Sequence, residues 1–224
     1  MKHLHAQLLV FLMLSSALSQ ASAAVFSVSG YLYRVDAGIR SEFYEGDNFL
    51  LTYEFDPLAA NINNGPTFSE YYTVNGVANI TIGNYQVSAQ GVDIIVMDDR
   101  DWIPPDRYVA SSFYTSERRS AFTGDVVSGL IPYFWDIELG DTQGIALSSD
   151  ALPSSPLNLS AFDSKTFTLQ FASEVTPYAA YGVQRVYGYV TNISAVPEPQ
   201  SVWLWGVGVL ALIGAIRVNK NSMG

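Results

Sequence analysis

Apolar and polar residues alternate through most of this chain. In VFSVSGYLYRV, Phe26, Val28, Gly30 and Leu32 fall on one side, with Ser27, Ser29, Tyr31 and Tyr33 on the other. KTFTLQF sets Phe167, Leu169 and Phe171 against Thr166, Thr168 and Gln170. A period of two residues is the signature of a strand with one buried face. NITIGNYQV places Gly83-Asn84 between two such runs, which predicts a tight hairpin of the Gly-X type. RVYGYVTNI reads as the last strand. FLLTYEF, VDIIVM, RYVASSFY, YFWDIEL and GIALSS supply further strands. The clusters NINNGP, DWIPPD, TGD, ELGD and LPSSP carry turn chemistry between them. No segment shows a convincing helical period, and only the stretch from Ser154 to Phe162 suits one short turn. No repeat of fixed length is present. About ten strands in residues 24–195 predict an all-β domain, an antiparallel two-sheet sandwich of jelly-roll type.

Both ends of the chain break the alternation. MKHLHAQLLVFLMLSSALSQASAA begins with Lys2 and continues through an unbroken apolar run from Leu8 to Leu14. Small residues at Ala21 and Ala23 then favour cleavage before Ala24. Residues 1–23 therefore read as a secretory signal peptide. The run is far shorter than the ~20 apolar residues a membrane-spanning helix needs.

At the other end, Val202 to Ile216 is 15 apolar or small residues, about 22 Å of helix. That is short of the ~30 Å hydrocarbon core, and a snorkelling Arg217 extends it. Residues 202–218 are accordingly predicted to form a transmembrane helix. Trp203 and Trp205 suit the headgroup level at one end, and Arg217 and Lys220 hold the other end in the cytoplasm. Just outside lies Pro197-Glu198-Pro199. Each proline fixes its own φ and biases its predecessor away from the helix, so the tripeptide is an extended strut. A bare helix stop before an ordinary anchor would need no more than this.

VPEP followed by an apolar run and a basic tip resembles the PEP-CTERM sorting signal, here residues 196–220. The resemblance implies export by a Gram-negative bacterium. It also implies a transient stay in the inner membrane and handling by exosortase, a membrane-embedded transpeptidase-like enzyme. Pro197, Glu198 and Pro199 would be the recognition motif. Proteins with this tail are often linked to exopolysaccharide and biofilm matrix, so the implied destination is the cell surface or extracellular matrix. Many such tails end in clustered arginines, whereas Val218 and Asn219 separate Arg217 from Lys220 here. GDNFLLTYEFDP, VMDDRDWIPPDRY and LPSSPLNLSAFDSKTFTLQF are similar to segments of β-rich exported domains that carry this tail, and they bring no activity with them.

Composition narrows the chemistry. The formal net charge is −10, which repels nucleic acid and anionic headgroups alike. There is no cysteine, and the only histidines, His3 and His5, lie in the segment that cleavage would remove. Ser-His-Asp, Cys-His and His-ligated zinc chemistry are therefore excluded from the mature domain. The sharpest polar cluster is MDDRDWIPPDR, with Asp98, Asp99, Asp101 and Asp106. Hard oxygen donors grouped on a loop suit Ca²⁺, although the D-x-D-x-D-G spacing is missing. A solvated turn neutralised by Arg100 and Arg107 fits the same residues. Glu54, Asp56, Asp136 and Glu138 are carboxylates of the kind a glycosidase pairs, or simply solvent-facing strand residues. Tyr31, Tyr33, Tyr71, Tyr72, Trp102, Tyr108, Tyr114, Trp135, Tyr187 and Tyr189 could stack on sugar rings or pack in the core. Three Asn-X-Ser/Thr matches, at Asn79, Asn158 and Asn192, are treated as chance in a bacterial export substrate.

The reading is thus a non-enzymatic exported matrix protein that needs no cofactor. A calcium-assisted carbohydrate-binding module is the first alternative, and a carboxylate-only glycosidase the second.

Overall fold

A computed structural model describes residues 23–196, apart from positions 64, 66, 102–103, 114–120 and 177–179. Residues 1–22 of the expected signal peptide, Trp102, Tyr114, the Pro197-Glu198-Pro199 motif, the expected 202–218 helix, Arg217 and Lys220 lie outside the described residues. Among those residues, no helix is long and apolar enough to cross a membrane.

The chain forms eleven strands: β1 (Ala24–Val35), β2 (Asn48–Phe55), β3 (Phe68–Ile82), β4 (Tyr85–Met97), β5 (Asp106–Phe113), β6 (Phe122–Gly124), β7 (Ile131–Asp141), β8 (Ser164–Ala172), β9 (Glu174–Val175), β10 (Ala180–Tyr181) and β11 (Gln184–Ala195). Two single 3-10 turns, Ala37–Ile39 and Leu159–Ala161, are the helical elements described. The second falls in the stretch where one short turn was expected.

All-β, antiparallel architecture is as the alternation predicts, but the sandwich is not. The large sheet runs β3-β2-β1-β11-β8-β7-β5-β4, and β4 pairs back onto β3. Eight strands therefore close into one barrel, with β6 as a short extra pairing on β4. Each long strand neighbours the next along the chain, and β11 returns to β1, so the topology is a plain meander. A single closed sheet leaves none of these eight strands with a free edge. Period two looks the same in both architectures. What separates them is the β1–β11 ladder, Phe26 opposite Ala195 through Val35 opposite Val186, a pairing no local pattern announces.

The hairpin at Gly83-Asn84 forms as expected, with Ile82 opposite Tyr85 and Gly83 at φ 56°. GIALSS does not form a strand. Asp141 accepts hydrogen bonds from the amides of Gln143, Ile145 and Ala146, and this winds the segment into a loop.

Inward residues fill the barrel. Trp135, Tyr53, Tyr108, Phe26, Phe49, Phe55 and Phe167 are fully or almost fully buried. Phe49 and Phe167 stack at 4.2 Å, and Tyr53 meets Trp135 at 6.0 Å. The one buried tyrosine pair shares a hydrogen bond, Tyr53 Oη to Tyr108 Oη at 2.9 Å. Burial raises the pKa of both phenols, so both stay neutral.

The ends are covered as well. Phe43, from the β1–β2 loop, packs over one mouth against Tyr85 and Phe171. At the other, buried Phe162 joins the core, and Leu147, Leu152, Leu157 and Leu159 of the same long loop pack partly buried against it. The outer positions of the strands are largely polar: Ser27, Ser29, Thr52, Glu54, Asn79, Thr81, Gln86 and Ser88. An outer-membrane barrel shows the reverse, an apolar band outside and a polar interior.

β1 begins where β11 ends. The Val196 amide donates to the Val25 carbonyl at 2.9 Å. The two ends of the barrel segment thus lie side by side on one rim, called here the terminal rim. The 56–67, 98–105 and 142–163 loops occupy that same rim. The ladder that closes the barrel is complete within residues 24–196.

Candidate functional site

Two places gather the polar and aromatic residues singled out above. One is the terminal rim, where the β4–β5 turn meets the loop after β7. Carboxylate oxygens of Asp98, Asp99 and Asp106 lie within 4.8 Å of one another. Oxygens around one Ca²⁺ at ~2.4 Å each would span that distance. Asp106 is fully buried, yet both its oxygens are used: Oδ1 accepts from the Asp99 amide at 3.0 Å and Oδ2 from the Leu147 amide at 2.8 Å. It ties the two loops together. Asp99 sits at φ 52°, a left-handed conformation that aspartate tolerates better than most residues.

Asp101 is exposed and stands apart from the three. In its place Asp150 approaches, its Oδ2 accepting from Ser69 Oγ at 2.7 Å. Burial raises the Asp98 pKa, and the charges of Asp106, Asp99 and Asp150 raise it further. The arginines expected to neutralise the cluster have other contacts. Arg107 bonds Glu138, and the Arg100 guanidinium lies over the Phe68 ring at 4.9 Å. Asp141, at the same rim, is held below the usual carboxylate range by the amides of Ile145, Gln143 and Ala146. Asp141 and Asp150 are the residues that sequence reasoning missed here. The turn-forming Asp-Thr-Gln-Gly run marks the first, and no local signal marks the second.

The other place is the outer wall. Tyr31 and Tyr33 on β1 lie beside Tyr187 and Tyr189 on β11. Tyr33 stacks on Tyr189 at 4.2 Å, while Tyr31–Tyr189 and Tyr33–Tyr187 are 5.8 and 6.2 Å apart. Next across the sheet, Thr166 is opposite Tyr189 and Thr168 opposite Tyr187. Beyond them Glu138 and Asp136 follow in the same two rows. Four of the ten aromatics weighed above for sugar stacking are therefore brought together. Trp135 and Tyr108 are core residues, and Tyr71 is also buried.

The four carboxylates weighed for glycoside chemistry separate into two pairs. Glu54 and Asp56 line an open pocket of about 200 Å³ with Ala23, Leu58, Thr73 and Gly76. Asp136 and Glu138 are on β7, four strands round the barrel from β2. Glu138 is paired with Arg107 at 2.7 Å. Burial pushes the Asp136 carboxyl up to about 6; a hydrogen bond from Thr168 pulls it down, Glu138 raises it and Arg107 lowers it.

No family model matches the chain, and no curated protein or solved structure matches it either.

Proposed function

We propose that this chain is an exported protein, sorted through Pro197-Glu198-Pro199, whose barrel serves as a non-enzymatic module at the cell surface or in an exopolysaccharide matrix. The tail carries the reading: a stiff acidic tripeptide, an apolar run of membrane-inserting composition and a basic tip in that order. The barrel is consistent with it. Its interior is packed with side chains, so recognition belongs to its outside. Its two ends emerge side by side, so a signal peptide and a membrane tail would tether it by one rim. The partners are the secretion machinery, an exosortase-type processing enzyme and, transiently, the inner membrane. With a charge of −10, nucleic acid is not among them. Engagement of Glu138 by Arg107 and burial of Asp136 also argue against turnover on that wall.

Intact mass and fractionation of the protein made in its own cells test this reading. The expected polypeptide starts at Ala24, ends near the Pro-Glu-Pro motif and leaves the cytosol. A full-length chain from Met1 to Gly224 in the cytosolic fraction would overturn it.

The 4.8 Å grouping of Asp98, Asp99 and Asp106 favours a second reading, a calcium-assisted binding module. A cation there would relieve the mutual repulsion that raises Asp98. Titration calorimetry of the barrel with CaCl₂ is then expected to show saturable binding, lost in Asp99→Ala and retained in Asp101→Ala. Absence of binding heat, together with an unchanged melting temperature in excess calcium, ends that reading.

A further inference from the structure

The tyrosine wall is the feature that the proposed function leaves without a ligand. Surface tyrosines on strands commonly pair across a sheet; here four rings make three contacts across two strands rather than one. Tyr31 and Tyr189 remain 42% and 46% exposed although each touches another ring. The four rings brace one another, so their rotamers are set before anything binds, and little side-chain freedom is left to lose.

The wall is supported from within as well. Gly30 and Gly188 face inward at this level, and Phe49 presses directly on both. The β1–β11 ladder shifts register twice at this wall: Thr191 on β11 is the extra residue at the first shift, and Tyr33 on β1 is itself the extra residue at the second. Such bulges re-aim side chains and recur beside binding sites.

The chemistry of the wall is that of a sugar ring. A pyranose has apolar C–H faces and a hydroxyl edge. The exposed Tyr31 and Tyr189 rings offer π surface for the former, while Tyr33 gives one face to Tyr189 and Tyr187 one to Arg34. The phenol groups, with Thr166 and Thr168 on the adjoining strand, offer donors and acceptors for the latter. Most charges on the wall have partners, Asp136 excepted, whose Oδ1 is buried without a hydrogen bond. Glu138 is bonded to Arg107, and the Arg34 guanidinium sits 4.8 Å over the Tyr187 ring and 3.4 Å from Asp36. With the Asp136 carboxylate in the same rows and a net charge of −10, a polyuronate or other polyanion is repelled. An uncharged chain meets no such barrier.

We infer that the outer face of β1 and β11, centred on Tyr31, Tyr33, Tyr187 and Tyr189, binds an uncharged polysaccharide by stacking. This rests on the matrix reading above for its biological sense, but its test is made on purified protein, so either can fail alone.

The experiment is affinity electrophoresis of the 24–196 barrel in gels containing galactomannan, hydroxyethyl cellulose or polygalacturonate. Retardation is expected in at least one neutral polymer and not in polygalacturonate. Tyr31→Ala/Tyr189→Ala is expected to weaken it by about tenfold or more, with only a small drop in melting temperature from the lost ring contacts, because both side chains are well exposed. Tyr31→Phe/Tyr189→Phe keeps the rings and is expected to keep most of the retardation. The inference is overturned by free migration in both neutral polymers, by stronger retardation in polygalacturonate, or by retardation the alanine pair leaves intact. Concentration-dependent self-association that the alanine pair abolishes would give the wall to a second copy of the chain and would equally overturn it.

Discussion

Gly30→Ala is expected to destabilise the barrel by about 3 kcal/mol or more, enough to unfold a domain of ordinary stability partly at 37 °C. A Cβ at this position would lie 1.8 Å from the Tyr189 carbonyl oxygen and 2.8 Å from the Phe49 ring. The first contact is with backbone, so no rotamer change relieves it. The only relief is to move β1 away from β11, which opens the ladder that closes the sheet. Phe49 cannot yield easily either, because it is stacked on Phe167 behind it. Urea unfolding of Gly30→Ala beside Ser29→Ala measures the effect. The serine change, one residue along on the outward face, is expected to stay within ~0.5 kcal/mol. If Gly30→Ala matches it, the close approach of β1 and β11 described here is wrong.

Asp136→Asn is expected to stabilise the barrel at neutral pH, by up to about 3 kcal/mol. The folded carboxyl titrates near 6, against 3.8 for the ordinary group. Below about pH 4 both folded and unfolded chains carry the proton, and the buried group costs nothing extra. Between 4 and 6 the unfolded chain releases its proton first, so stability falls. Above 6 the folded group ionises too, and the deficit is complete. Asparagine fills the same space, can still accept from Thr168, and has no charge to desolvate. The difference in unfolding free energy between variant and parent should therefore grow between pH 4.5 and 7.5 and then level off. A variant less stable than the parent at pH 7.5, or a difference that does not change with pH, would contradict the burial of this carboxylate. Asp136 was weighed as one half of a catalytic pair, and its place on β7 argues for the opposite emphasis: a buried acid whose charge the fold barely tolerates.

The candidate sites were legible to different degrees. Asp98, Asp99 and Asp106 lie close along one turn, so their grouping follows from local geometry. Asp101 breaks ranks because the turn directs it to solvent, and Asp150 joins only because the loop after β7 folds back over the rim. Tyr31 and Tyr33 are separated from Tyr187 and Tyr189 by more than 150 positions. Each pair could be assigned to the outside of its own strand, but nothing in either strand said that they share a wall. The pairing of Asp136 with burial was hidden for a related reason. Its outward phase is a property of β7, whereas its desolvation depends on what the neighbouring strands place around it.

Alternation between faces is a local property, because successive side chains on an extended backbone must point opposite ways. It was enough to locate most of the long strands, though it also gave one at GIALSS that the chain does not form and missed the three short ones; it assigned Phe26, Val28 and Leu32 to the core side and set Gly83-Asn84 at a hairpin. The absence of histidine and cysteine from residue 24 onward, and the order of motif, apolar run and basic tip in the tail, are likewise matters of residue identity alone. Whether eight antiparallel strands lie as two stacked sheets or one closed cylinder is a different kind of question. It turns on whether the first strand hydrogen-bonds to the last. That contact spans the whole domain and depends on two glycines thin enough to let backbones pass over Phe49, so only the folded chain reveals it.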